Sequence, residues 1–263
     1  MSEPLLSVLI VTQNQAHQIG DCLQSVAWAD EIVVVDACST DGTDRIAREF
    51  TPIVVRNRWP GYAAQRRVAL EHASGRWVLA VDSDERVTPQ LRREIEEVLS
   101  ADGRGYDGFY IPRKSFFLGR WIRHAGWYPG YQLRLCRREC TRVTQRAVHE
   151  GFVVDGRVGY LREAMLHFTQ PTLRVAYERL NAYTALEARD RCGRKKVRAW
   201  DFLLHPLSVF LRKYVVQKGF LDGMHGFLLA AVSATYSMLL YMKTWELQRA
   251  AAADADAPDA RLN

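Results

Sequence analysis

The first hundred residues alternate short apolar runs, rich in β-branched side chains, with segments of helical periodicity. This alternation restricts the fold more than any other feature of the chain. The predicted strands are 5–12, 31–36, 53–56 and 76–81, and the predicted helices are about 14–28, 40–50, 62–73 and 88–100. Strands that alternate with helices build βαβ units, in which helices cover both faces of the sheet. The sequence therefore predicts an α/β fold with a mainly parallel sheet between helices.

Two of the helix starts have recognisable capping residues. Asn14 can cap the helix that follows the first strand, through its side-chain oxygen. Thr88 and Pro89 combine an N-cap threonine with a proline at the first helical position. The alternation ends near Gly108, after which strands are predicted at 108–112, 131–137 and 148–158, separated by long loops.

Two of the predicted strands end in an acid, Asp36 and Asp82. Because the carboxyl ends of parallel strands meet at one edge of a sheet, both side chains should face the same crevice. After the fourth strand, Asp82, Asp84 and Glu85 place three carboxylates within four residues. Such close like charges repel unless a cation or hydrogen-bond donors offset them. Mg²⁺ or Mn²⁺, bound also by substrate phosphates, fits this role. An acidic turn with Glu85 in solvent is the alternative.

The residues around these acids resemble glycosyltransferase family 2. The segments VVVDACSTDGT at 33–43 and LAVDSDE at 79–85 are similar to two motifs of that family. Further segments resemble one subgroup, the bacterial lipopolysaccharide inner-core β-1,4-glucosyltransferases that act on a heptose. These segments are FFLGRW at 116–121, GWYP at 126–129, YQLRL at 131–135, VHE at 148–150 and GFLDG at 219–223. The resemblance covers residues 5 to 248, approximately.

The resemblance implies a GT-A fold, a UDP-sugar donor, a divalent metal ion and inversion at the anomeric carbon. It implies that Asp82 and Asp84 form the D-x-D pair of the family, with Asp84 nearest the metal. The other residues that it places at the nucleotide are Thr12, Asn14, Asp36, Gln65 and Arg66. For the subgroup, the implied reaction is transfer of a hexose, glucose in particular, to a lipopolysaccharide core heptose.

An inverting transfer needs a base that takes the proton of the acceptor hydroxyl as it attacks. Gly130 stands where the subgroup commonly has an aspartate, which removes one candidate. We therefore predict Glu150 as the base. The alternative is that Glu150 pairs with a nearby arginine, Arg142 or Arg146.

Three further residues are candidates for the site. Gln132 and Arg134 alternate along a predicted strand and so share one face of it. They could face the diphosphate or the acceptor, although Arg134 could instead pair with an acid. His167 follows an apolar run and is predicted as a further metal ligand or a phosphate donor, with a core histidine as the alternative.

The last third of the chain is predicted to be helical. The expected organisation is a catalytic domain over 1–170, a helical region over 171–248 and a disordered tail over 249–263. Met224 to Met242 contains 19 residues without an Asp, Glu, Lys or Arg. We expect this helix to lie in the plane of the membrane surface or to be partly inserted in it. A membrane span and a helix packed within a soluble protein are the alternatives.

Charge distribution and the N-terminus indicate where the protein acts. Residues 171–218 contain 11 Lys or Arg against 4 Asp or Glu. A basic block beside an apolar segment favours anionic lipid or an anionic acceptor over nucleic acid. The N-terminal residues lack the basic region of a signal peptide. We therefore expect a peripheral protein on the cytoplasmic face of the bacterial inner membrane.

The expected partners are a UDP-sugar and a lipid-linked saccharide, with the oligomeric state open. A family 2 enzyme that acts on another cell-envelope glycan remains an alternative, as does a non-catalytic scaffold at the membrane. A nucleotidyltransferase is disfavoured, because it would need a glycine-rich basic loop after the first strand, where this chain has TQNQ at 12–15.

Overall fold

The computed structural model describes residues 4–144, 151–193 and 196–256. These residues form two compact units. The first unit comprises the described residues up to Ser115 and from Tyr128 to Thr169. The second unit comprises Phe116–Trp127 and the described residues from Gln170 onwards.

The elements are numbered in chain order over the described residues. The strands are β1 (Leu6–Thr12), β2 (Glu31–Asp36), β3 (Val54–Arg56), β4 (Trp77–Asp82), β5 (Glu85–Arg86), β6 (Gly108–Ile111), β7 (Arg113–Phe117), β8 (Arg120–Trp121), β9 (Gln132–Arg137), β10 (Thr141–Val143), β11 (Phe152–Val154), β12 (Val158–Tyr160) and β13 (Met165–Gln170). The α-helices are α1 (Ile19–Val26), α2 (Thr43–Arg48), α3 (Tyr62–Glu71), α4 (Pro89–Ser100), α5 (Leu173–Arg191), α6 (Asp201–Leu211) and α7 (Gly223–Asp256).

A seven-stranded sheet forms the centre of the first unit, in the order β12-β6-β9-β4-β1-β2-β3. The block β4-β1-β2-β3 is parallel, and β12 is parallel to β6. Strand β9 lies between β4 and β6 and is antiparallel to both. The prediction of a mainly parallel sheet is confirmed, and β9 brings a strand from far along the chain beside β4.

The sheet is covered by helices on both faces, as the burial of β1 shows. Val8 and Ile10 lie in one apolar cluster with residues of α1 and α4. Leu9 points to the opposite face and lies in a second cluster, which includes Ala69 of α3. Because successive side chains of a strand point to opposite faces, a run that is apolar on both is typical of a buried parallel strand.

The register of the parallel strands places their carboxyl ends side by side. Thr12 at the end of β1 pairs with Asp36 at the end of β2. Val11 pairs with Asp82 at the end of β4. The two acids predicted to share a crevice therefore flank the same end of β1.

Of the two predicted helix caps, one is confirmed by the structure and the other is not. Thr88 caps α4 as predicted, and its side chain accepts a hydrogen bond from the Leu91 N–H at 3.1 Å. The prediction for Asn14 is wrong. Helix α1 begins at Ile19, and the Asn14 side chain instead accepts a hydrogen bond from the Thr40 N–H at 2.9 Å.

Replacing Thr88 with alanine should lower the free energy of unfolding by about 1 kcal/mol, because the first turn of α4 loses its side-chain acceptor. Urea denaturation measures the change. Thr88→Ser keeps the hydroxyl and should stay close to the wild type. Equal losses in both variants would show that the threonine methyl group, and not the cap, contributes the stability.

The second unit contains β8 and the helices α5, α6 and α7, with an apolar core built from α5, α7 and the 116–127 segment. That core includes Phe117, Ile122, Ala176, Leu180 and Leu229. Between α6 and α7 the chain forms a π-helical turn and then a 3-10 turn.

The C-terminal end of the chain differs from the prediction of a tail disordered from residue 249. Helix α7 continues to Asp256, so residues 249–256 are helical. Over the described residues, one helical stretch, Gly219–Ala251, is long and apolar enough to cross a membrane by length and composition. A predicted strand also differs. Within 148–158, the described part forms β11, and the chain turns before β12 begins at Val158.

Candidate functional site

The acidic turn after β4 is tied to the protein interior by Glu85. Its side chain is fully buried and accepts hydrogen bonds from Arg134 at 2.7 Å and from Arg113 at 3.3 Å. Its second oxygen accepts from the N–H of Asp82 at 2.9 Å. The alternative of a solvated Glu85 is therefore wrong. A buried carboxylate with three donors fixes the conformation of the turn.

Asp82 takes part in the same arginine network. Its carboxylate pairs with Arg134, which is almost fully buried, and with Arg66 at 3.2 Å. Partial burial of the carboxyl works to raise its pKa, but the charges of Arg134 and Arg66 outweigh this effect. The pKa of Asp82 therefore lies well below its usual range.

This network contains two carboxylates and three guanidinium groups. The carboxylates belong to Asp82 and Glu85, and the guanidinium groups belong to Arg66, Arg113 and Arg134. The repulsion expected between Asp82 and Glu85 is thus offset by the protein itself. Among these five groups there is one excess positive charge, which the carboxylate of the neighbouring Asp84 balances.

The low pKa of Asp82 should make the stability of the protein depend on pH in acid. Stability from its ion pairs is complete above the ordinary aspartate pKa of 3.8 and is lost as the pH falls below it, because the unfolded chain binds the proton more readily. Asp82→Asn should therefore flatten the dependence of the unfolding free energy on pH between about pH 5 and pH 2.

Urea denaturation across this range tests the prediction. Asp21→Asn is the matched control, since the Asp21 side chain is largely exposed and its pair with Arg86 is 3.5 Å long. That variant should keep the wild-type slope. An unchanged slope in Asp82→Asn would contradict the assignment.

Asp84 and His167 form a second pair in the site. The short strand β5 pairs with β13, which sets His167 opposite Glu85, and the Phe168 N–H donates to the Asp84 carbonyl at 2.8 Å. The Nε2 atom of His167 lies 3.7 Å from a carboxylate oxygen of Asp84. The Nδ1 atom of His167 lies 3.0 Å from the hydroxyl of Ser115.

The donor set of this pair fits a divalent cation. Two ligand atoms 3.7 Å apart can each lie at the bond length of about 2.1 Å that such ions have to nitrogen or oxygen. A hydrogen bond from Nδ1–H to Ser115 would leave the lone pair of Nε2 directed toward Asp84, as in many metal-binding histidines. Among the described side chains, no group of three or more His, Cys, Asp or Glu residues forms a metal cluster. Further ligands would then be water and phosphate oxygens, as is common for Mg²⁺.

Thr12 and Asp36 lie side by side at the ends of β1 and β2. Thr12 is buried, and its hydroxyl has no hydrogen-bond partner among the described residues. Asp36 is fully buried, and its carboxylate accepts hydrogen bonds from the N–H and the hydroxyl of Ser39. An unpaired buried hydroxyl costs about 1–3 kcal/mol, so Thr12 is suited to a partner that arrives from outside the chain.

Other predicted nucleotide residues organise loops around this edge. The N–H of Asn14 donates to the Ser39 hydroxyl at 2.8 Å. The side chain of Gln65 is buried. It donates a hydrogen bond to the Asn57 carbonyl at 2.9 Å and accepts one from the Asn57 side-chain amide at 3.0 Å. Gln65 therefore fixes the loop between β3 and α3.

The remaining predictions have different outcomes. Gln132 is exposed at the start of β9. Arg134 pairs with Asp82, which confirms the alternative prediction that Arg134 binds an acid. Glu150 lies outside the described residues. Sequence reasoning missed the roles of Arg113 and Ser115, since neither lies in a motif and both reach the site through pairings distant in sequence.

Residues 7–166 match the family model described as Glycosyl transferase family 2, which is more than half of the chain. The chain belongs to this family. It is 31% identical to the lipopolysaccharide core biosynthesis glycosyltransferase LpsC of Rhizobium meliloti (strain 1021), over 249 residues that cover 92% of each chain. An uncharacterized glycosyltransferase of Rickettsia felis is 24% identical over 261 residues, covering 92% of this chain and 89% of that one.

A solved structure supports the same fold. This family 2 chain resembles the mannosyltransferase PcManGT of Pyrobaculum calidifontis, whose structure is a complex with GDP-Man and Mn²⁺. The TM-score is 0.54 and the identity 16%, with 94% of this chain and 88% of that chain covered. The predicted GT-A fold is confirmed.

Proposed function

We propose that this family 2 enzyme transfers a hexose, glucose in the first instance, from a UDP-sugar to a heptose of the lipopolysaccharide core. The observation that carries the proposal is the carboxyl edge of β1, β2 and β4, where Asp82 and Asp84 follow a buried strand as the D-x-D pair. The likeness to LpsC over nearly the full length of both chains supports the lipopolysaccharide core as the acceptor.

The arginine network suits the diphosphate of the donor. Arg66, Arg113 and Arg134 balance the charges of Asp82, Asp84 and Glu85, so a cation bound by Asp84 would leave this edge positive and favour an anionic ligand. Because the network is largely fixed by buried hydrogen bonds, it needs little reorganisation when negative charge develops on the leaving group.

Asp84 and His167 are the proposed protein ligands of Mg²⁺ or Mn²⁺. Their distance and the contact of His167 with Ser115 support this role. When bound, the cation supplies charge neutralisation for the departing diphosphate. Thr12, with its unpaired hydroxyl, and the loops fixed by Asn14, Asp36 and Gln65 are the proposed surroundings of the nucleoside. Gln132, exposed at the start of β9, is proposed to contact the donor sugar or the acceptor.

Glu150 is the proposed base that accepts the proton of the acceptor hydroxyl. Among the motifs of the subgroup, VHE at 148–150 supplies the carboxylate that Gly130 does not. Glu150→Gln should therefore lower kcat with little loss of UDP binding, which isothermal titration measures independently of turnover.

The acceptor is proposed to be linked to lipid, and the enzyme to act peripherally at the cytoplasmic face of the inner membrane. The long apolar stretch Gly219–Ala251 and the basic block over 171–218 support membrane contact. The proposed domain organisation follows from this, with catalysis in 1–170 and membrane contact in 171–248.

The test uses the purified full chain with Mg²⁺ or Mn²⁺, individual UDP-hexoses, and lipopolysaccharide from a strain that lacks the gene. Mass spectrometry should show a gain of one hexose on the core. Release of UDP without this gain, together with transfer to another envelope glycan, would support the alternative acceptor. If no UDP-hexose is turned over and UDP does not bind, the proposal fails.

A further inference from the structure

The helix that hydropathy selects as the membrane segment is fixed inside the second unit. In α7, Leu229, Ala230, Val232 and Leu240 are buried. The Tyr236 hydroxyl donates to the Glu187 carboxylate of α5 at 2.6 Å. One side of α7 is therefore packed against its neighbours, while Phe227, Met238 and Met242 are partly exposed on the other.

The partner helix α5 makes a membrane span by α7 unfavourable. Seven of the nineteen residues of α5 are charged. Lys243 of α7 donates to the Asn181 carbonyl at 2.6 Å and to the Thr184 hydroxyl at 3.0 Å, so the two helices are joined along α5. A span by α7 would carry the charged residues of α5 into hydrocarbon, where each costs several kcal/mol.

A different surface of the second unit is exposed and apolar. It begins on α6, where Leu203, Leu204, Leu207 and Leu211 lie within two turns of one side of the helix. It continues through the two turns that follow α6 to the start of α7. We call this surface the apolar edge; its members are Leu203, Leu204, Leu207, Leu211, Val215, Val216, Phe220, Leu221 and Met224. Three of them are about 70% exposed: Leu203 (70%), Val216 (74%) and Met224 (67%).

The exposed charged residues between Phe202 and Met242 are all basic. From Phe202 to Met242 the single acid is Asp222, and its side chain is buried against the N–H groups of Arg123 and His124. The bases Arg212 and Lys218 are exposed between members of the apolar edge. An apolar surface on a segment with exposed bases and no exposed acid is complementary to a bilayer that contains anionic lipid.

A protein partner is a weaker match for this composition. Protein interfaces are enriched in aromatic residues and Met, whereas seven of the nine members of the apolar edge are Leu or Val, the other two being Phe220 and Met224. Trp200, at the start of α6, is 54% exposed, and tryptophan is enriched at the boundary between lipid and water.

We propose that the second unit docks on an anionic lipid bilayer through the apolar edge, and that α7 lies behind this surface without spanning the membrane. The inference rests on the proposed membrane attachment and assigns that attachment to the segment from Leu203 to Met224. It replaces the prediction that Met224–Met242 is the membrane-contacting helix.

The experiment is cosedimentation of the purified full chain with vesicles of phosphatidylcholine containing phosphatidylglycerol. Leu203→Gln combined with Leu207→Gln should weaken binding more than tenfold. Arg212→Gln combined with Lys218→Gln should weaken it by about thirtyfold at low salt and have little effect on vesicles of phosphatidylcholine alone. The matched control is Leu186→Gln, which changes an exposed leucine of α5 outside the apolar edge and should bind as the wild type does.

Three results would overturn the proposal. One is wild-type binding by the double leucine variant. Another is a wild-type dimer in light scattering that this variant dissociates, which would assign the apolar edge to a second copy of the chain. The third is resistance of membrane-bound protein to alkaline carbonate, which would show a span.

Turnover separates this proposal from the proposed function. With UDP-hexose and a delipidated core oligosaccharide, the leucine variant should be as active as the wild type, and its circular dichroism should show that it is folded. If the vesicle-binding results are as expected but neither the wild type nor any variant shows turnover, the proposed function fails. The proposed docking surface is then unaffected.

Discussion

Replacing Asp84 with asparagine should lower kcat in the presence of Mg²⁺ or Mn²⁺ by at least about a hundredfold, because a direct metal ligand should matter at least as much as the outer-shell groups whose loss costs 10- to 100-fold. Asparagine preserves the size of the side chain but removes the charge that would bind the cation. The fold should persist, since asparagine keeps the backbone carbonyl that accepts the Phe168 N–H at 2.8 Å.

Single-turnover kinetics with a UDP-hexose, at several concentrations of Mn²⁺, provide the measurement. Asp21→Asn, an equivalent change at an exposed aspartate of α1, should retain wild-type kcat. If Asp84→Asn keeps more than half of the activity at every metal concentration, the metal site must be built from other residues.

The largest effect on stability is expected from Arg134→Met. Arg134 is almost fully buried and pairs with the carboxylates of Asp82 and Glu85. Glu85 is fully buried, and its carboxylate oxygen lies 2.7 Å from the guanidinium group. Removing it leaves buried negative charge without its main partner, and breaking a buried pair in this way costs about 3–5 kcal/mol. Urea denaturation at pH 7 should show this loss.

Arg76→Met is the matched control for this change. Arg76 pairs with Asp102 at 2.7 Å, but both side chains are about half exposed, and surface pairs of this kind contribute about 0–1 kcal/mol. Adding Glu85→Gln to Arg134→Met should recover part of the loss, because it removes one of the unpaired charges. A loss below 1 kcal/mol in Arg134→Met would show that water or Arg66 and Arg113 can replace Arg134.

The parts of the fold that follow from local chemistry could be predicted from the sequence. Strand β2 and helix α4 have the predicted bounds, since an apolar run ending in Asp36 and a Thr-Pro start are signals within the segment itself. The proximity of Asp36 and Asp82 also follows from general rules, because parallel strands that alternate with helices align their carboxyl ends.

The environment of each acid could not be predicted in the same way. The roles of Glu85 and Arg113 depend on β9 and β7 reaching the turn after β4, and these pairings join residues that are 28 to 49 positions apart. Asn14 has the composition of a cap, yet its amide binds a loop 26 positions away. Similarly, hydropathy identifies α7 as apolar but does not show that α5 covers one side of it, nor that the leucines of α6 are exposed.

The arginines around Asp82 and Glu85 also bear on the order in which ligands come and go. Because arginines pair with the buried carboxylates of Asp82 and Glu85, we expect the protein to fold without a cation. With Asp84 and His167 as its proposed protein ligands, the cation can enter together with the donor and depart with the nucleoside diphosphate in every cycle. A chelator should accordingly stop turnover reversibly and leave Tm unchanged, which differential scanning fluorimetry with and without EDTA measures. A large fall in Tm would instead indicate a resident structural ion.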